Sequence, residues 1–122
     1  MSIRMIKNLN YTDMAQVAQT ARISRNTMIR QYMIHDDAMA PAYPRGSIII
    51  AREYDTTRFV EWGEAYMLET DNGPILVRLT PGKDDDHYLC IRDNEKGGYQ
   101  PIDMPKWAIK GVFRVMVMVK MM

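Results

Sequence analysis

The stretch from Ile109 to Met121 constrains the fold more than any other, because it is the longest β-compatible run and is apolar on both faces. Side chains alternate along a strand, so Phe113, Val115, Val117 and Val119 fall on one face and Met116 and Met118 on the other. Such a strand has to be covered twice, once by its own core and once by something else. The simplest second cover is another copy of the chain, which places Phe113, Val115, Met116, Val117 and Met118 at a homodimer interface. The competing cover is an N-terminal helix. The chain has 12 methionines, several gathered at the C-terminus, and Met packs adaptably at binding surfaces.

The rest of the chain reads as strands separated by turns. Thr12 to Ala21 predicts one modest helix, capped by Thr12 or Asp13, with Met14, Val17, Ala18 and Ala21 in a stripe. From Met28 the period changes. Strands are expected over Met28–Ile34, Ser47–Tyr54, Ala65–Glu69, Ile75–Thr80, His87–Arg92 and, as a short extended piece, Tyr99–Ile102. Turn chemistry separates them: Tyr43-Pro44-Arg45-Gly46, then Asp71-Asn72-Gly73-Pro74, then the polar Pro81–Asp86 connector and Asp93–Gly98. The expected architecture is a single mainly β unit of several short antiparallel strands over residues 28–122, with an N-terminal arm over 1–27 carrying one helix. At 122 residues one core is the natural size.

Composition narrows the function classes. With 16 basic and 15 acidic residues the net charge is +1, so no global field draws the chain toward nucleic acid or a membrane surface. A lone cysteine, Cys90, forms no internal disulfide and, with only His35 and His87, no metal cluster; a reducing, cytoplasmic setting is expected. No apolar run approaches the roughly 18 residues of a membrane span, and the N-terminus lacks the apolar core of a signal peptide. The Asp84-Asp85-Asp86 run lacks the spacing of a Ca²⁺ loop and reads as solvated connector. No cofactor, metal, membrane or small-molecule substrate is expected.

His35-Asp36-Asp37-Ala38-Met39-Ala40-Pro41 is the stretch with the most specific chemistry written into it. It resembles the Gly-Asp-Ser-Met-x-Pro nucleophile turn of the S24 peptidase family, which holds LexA-type repressors, phage repressors and UmuD-type proteins. Asp37, Met39 and Pro41 match, and Tyr43–Ile50, with Gly46 in it, is similar to the family's Pro-x-Gly-Asp/Ser-hydrophobic strand, but Ala38 stands where the resemblance calls for serine. Gly63–Leu68, Asp93-Asn94 with Tyr99–Ile102, and Ile109–Val115 are similar to further family stretches in the same order. Aligning Leu76-Val77-Arg78-Leu79 on the family's Val-Lys-Arg-Leu strand puts Val77 at the catalytic lysine. That lysine must be neutral to take the serine proton. Valine carries no base, and Arg78 stays protonated. The Ala-Gly or Cys-Gly bond that LexA-like repressors cut is also missing.

The resemblance therefore implies a non-proteolytic regulatory and dimerisation domain of transcriptional control, of phage or mobile-element type, with no catalytic residue. Ala38 and Val77 are expected in contact, within about 4.5 Å, as an apolar plug where the dyad would sit. Asp37, Pro41 and Gly46 then maintain the turn. Two alternatives stay open. One is a small DNA-binding repressor with a helix-turn-helix over about 14–31, in which Arg22, Arg25 and Arg30 meet DNA; a separate DNA-binding protein is the other route to an operator. The second is a serine peptidase with relocated groups, drawn from Ser47, Lys83 and Lys110. Against the first, Met28–Ile34 is also claimed by the strand entering the turn.

Overall fold

The computed structural model describes residues 4–5, 27–57 and 59–120. Eight strands run through them: β1 (Arg4–Met5), β2 (Ile29–Met33), β3 (Ile48–Glu53), β4 (Ala65–Thr70), β5 (Gly73–Pro81), β6 (His87–Ile91), β7 (Ile102–Pro105) and β8 (Ile109–Val119). They form one sheet in the order β2-β3-β8-β4-β5-β6-β7, every neighbour antiparallel, with β1 added to β8 in parallel. The protein is mainly β, as its alternating pattern predicts. No helix among the described residues is long and apolar enough to cross a membrane. The expected helix at 12–21 and nearly all of the arm at 1–27 lie outside the described residues.

Strand β8, at 11 residues, is the spine: β3, β4 and β1 all pair with it. Its faces, however, are not those of a regular alternation. Ile50 pairs with Val117 and Ala51 with Val115, so Met116 is an extra residue in a β-bulge. The bulge reverses the parity beyond it. Phe113, Val115 and Met118 share one face and one core, with Ile49, Ala51, Met67 and Leu76, while Met116, Val117 and Val119 pack with Ile50 in another. The expectation that Val117 and Val119 continue the Phe113 face is therefore corrected.

The residues expected at a homodimer interface fall on this same strand. Phe113, Val115, Met116, Val117 and Met118 are each 7% exposed or less within a single chain.

Other boundaries shift for local reasons. The Asp71–Pro74 turn tightens to an Asp71-Asn72 loop, because Thr70 already pairs with Gly73, whose φ of 101° a glycine adopts freely. The piece expected at Tyr99–Ile102 forms later, at Ile102–Pro105, beyond Pro101, which has no N–H for a ladder. On the first face of the sheet, Ile34, Met39 and Tyr43 from the β2–β3 connection cover Met67, Leu76 and Phe113. On the second, Tyr66, Leu68, Val77, Leu79, Tyr88 and Cys90 form a separate cluster.

Arg114 is an unforeseen buried cation in β8, 1% exposed. Its guanidinium donates to Val115 O at 2.9 Å and lies 5.5 Å from the Tyr66 ring centre. Glu64 at 3.2 Å and Glu61 at 3.5 Å supply the opposite charge. It fastens the 61–64 turn to the middle of the sheet.

A Cβ on Gly82 would lie 2.2 Å from the carbonyl oxygen of His87, so Gly82→Ala is expected to destabilise by about 2 kcal/mol in urea unfolding. Glu69 in β4 accepts from Tyr32 and from Arg30, both in β2, and those bonds, Tyr32's foremost, hold its carboxyl below the usual range. A depressed carboxylate stabilises the fold above its unfolded-state value, and that contribution disappears as pH falls through the folded one. Wild type should therefore lose stability more steeply than Glu69→Gln between about pH 5 and pH 3, as read by denaturant titrations at each pH.

Candidate functional site

The Asp37–Pro41 turn is built by backbone chemistry that does not need a serine. β2 ends at Met33, and Ile34 closes the connection by donating to Ser47 O and accepting from Gly46 N, both at 2.8 Å. Asp36 Oδ1 accepts from Ala38 N at 3.1 Å, an Asx turn that folds the chain back. Ala40 N donates to Asp37 O at 3.1 Å and Tyr43 N to Met39 O at 2.9 Å; the Ala40–Pro41 bond is cis. Gly46 leaves the segment at a φ of 87°. The Asp37–Arg45 pair, 3.1 Å long, joins two half-exposed side chains and so adds little stability.

Asn94 holds this turn from outside. Its N–H donates to Ala38 O at 2.9 Å and its Nδ2 to Asp37 O at 3.0 Å, so one residue satisfies two turn carbonyls. Arg78 in β5 in turn holds the neighbouring residue, donating from Nε and Nη2 to Asp93 at 2.7 and 2.9 Å and from Nη1 to Gly63 O at 3.2 Å. The Asp93 hydrogen bond raises the pKa of Arg78 further, so the guanidinium serves as a fixed donor and never as a base. The sequence marks Asp93-Asn94 only through a resemblance and dismisses Arg78. Nothing in its spacing tells which turn they fasten.

Ala38, 4% exposed, lines a cavity of about 130 Å³ with Ile34, Met39, Met67, Ile75 and Leu76; His35, Asp36 and Arg92 are its ionisable members. No hydroxyl, thiol or amine belongs to this lining. Nor does Val77. Met67 pairs with Leu76 and Tyr66 with Val77, so alternation sends Leu76 and Arg78 toward the turn's face and Val77 into the cluster with Tyr66, Leu79 and Tyr88. The expected Ala38–Val77 plug is corrected to Ala38 with Leu76: one residue along a strand is the whole difference between faces.

The groups considered for a relocated dyad are engaged elsewhere. Ser47, 1% exposed, donates its hydroxyl to Pro44 O at 2.6 Å. Lys83 lies 3.3 Å from Asp103 and Lys110 3.8 Å from Asp71. Burial pushes the Cys90 thiol up to about 12, which keeps it protonated at neutral pH. Among the described residues no three His, Cys, Asp or Glu side chains group to hold a metal ion.

Of the residues assigned to DNA contact, Arg22 and Arg25 lie outside the described residues. Arg30 sits on β2, where a recognition helix over that segment would have it helical. Its guanidinium pairs with Glu69 at 2.7 Å and lies 4.9 Å from the Phe113 ring centre. The strand won this segment because its register with β3 is continuous from Ile29 to Met33.

No protein-family model matches the chain, and no curated protein matches it.

The two faces of β5 give a sharp test. Val77→Lys puts an ammonium into the apolar cluster of Tyr66, Leu79 and Tyr88 and is expected to cost about 3 kcal/mol or more. Leu76→Lys, at the cavity beside Asp36, should cost less than half of that by thermal unfolding; equal losses would refute the assigned faces.

Proposed function

We propose that this chain is a non-proteolytic S24/LexA-like regulatory domain in transcriptional control, acting as a homodimer. The observation that carries this reading is the turn itself: two Asn94 bonds, an Asx turn and a buried Met39 hold it in shape around a methyl group. A turn kept for hydrolysis needs a nucleophile within reach of a base. Here the position is Ala38, and the facing strand offers Leu76 and a permanently charged Arg78. Retained shape without retained chemistry fits a domain whose work is association.

The test has two parts. Purified protein held at alkaline pH should keep one intact mass, with no internal cleavage product; a specific cut that persists after repurification refutes inactivity. Light scattering over a concentration series should show a mass rising from one copy toward two. A mass fixed at one copy removes the dimer from the reading, and a specific shift of operator-like DNA by this chain alone would favour direct DNA binding instead.

A further inference from the structure

We propose that a second copy of this chain docks along the outer edge of β2, two β2 strands pairing antiparallel about Gln31; this rests on the homodimer reading above. The two ends of the sheet differ. β7, at one end, is flanked by Pro101 and contains Pro105, and its Asp103 is paired with Lys83 at 3.3 Å. Proline and charge are the usual means of keeping an edge from pairing. β2, at the other end, carries no proline, and Arg30, Gln31 and Met33 on it are exposed.

The hydrogen-bond phase of β2 defines what its edge offers. Ile34 donates to Ser47 O and Met28 accepts from Glu53 N, so even-numbered residues turn their amides toward β3. By alternation, the N–H and C=O groups of Ile29, Gln31 and Met33 point outward. A two-fold axis at Gln31 pairs Gln31 with its copy and Ile29 with Met33 of the other chain. Every outward donor then meets an outward acceptor.

The side chains are self-complementary in the same register. On one face, Met33, 53% exposed, lies against the partner's Ile29. On the other face Arg30 falls opposite the partner's Tyr32, whose hydroxyl is bonded to Glu69. Each copy thus brings a cation to the neighbourhood of the other's carboxylate, and no like charges face each other directly. A five-residue strand buries little area, so the association is concentration-dependent.

Gln31→Pro tests this, because it deletes an outward N–H while leaving the bonds to β3 in place, and Met33→Lys tests it by charge. Both should shift the sedimentation-derived dimer constant at least tenfold toward monomer. Amide exchange supplies a readout independent of variant folding: Ile29, Gln31 and Met33 should be protected only at high concentration, Arg30 and Tyr32 at all concentrations. A dimer indifferent to both variants, with 29, 31 and 33 unprotected, overturns this edge while leaving homodimerisation standing. A wild-type chain that stays monomeric overturns both.

Discussion

Everything in this fold depends on β8 being buried on both faces. An apolar strand of that kind has to run through the middle of a sheet, and once it does, β3 and β4 become its neighbours and the remaining strands follow outward. The Met116 bulge is what lets one strand serve two different surroundings. Before it, Val112 and Arg114 face the Tyr66 cluster while Phe113 and Val115 face the turn; beyond it, Met118 joins the turn side and Val117 leaves it. Arg114 sits on the second face just before the switch. Its charge is tolerated there because Glu61 and Glu64, both still partly in water, lie within 3.5 Å of it and the Tyr66 ring covers it.

The turn region illustrates how shape and reactivity separate. Its geometry comes from an Asx turn, from glycine at position 46, and from carbonyls satisfied by Asn94. None of these involves the side chain at position 38. The methyl of Ala38 lines a small cavity with Leu76, and His35, Asp36 and Arg92 share that lining. The Arg78–Asp93 bridge, 21 to 29% exposed, then works as a brace, holding the loop that carries Asn94.

Much of this architecture was legible in the residues. Period-two patterns located β2, β3, β4, β5, β6 and β8 to within a few positions, since turn residues such as Gly46 and Gly73 bound them sharply. The absence of a hydroxyl at position 38 was equally plain from Ala38. Three things were not legible. A bulge carries no local signature in a run such as Val115-Met116-Val117-Met118, so parity beyond it was reversed. Register between strands is set by pairing, so a motif alignment placed Val77 where the structure places Leu76. And the brace from Arg78 through Asp93 to Asn94 joins residues far apart in sequence that only the β5–β6 pairing brings together.

This turn is a structural joint whose Ala38 shares a cavity with Leu76 of β5, while Val77 is turned to the other face of the sheet. Methyl and aromatic nuclear Overhauser effects in solution test it most directly. Met39 should show contacts to Met67 and Leu76, while the Val77 methyls should contact the Tyr66 and Tyr88 rings and show none to Ala38 or Met39. Strong contacts between Ala38 and Val77 would contradict the assigned faces of β5.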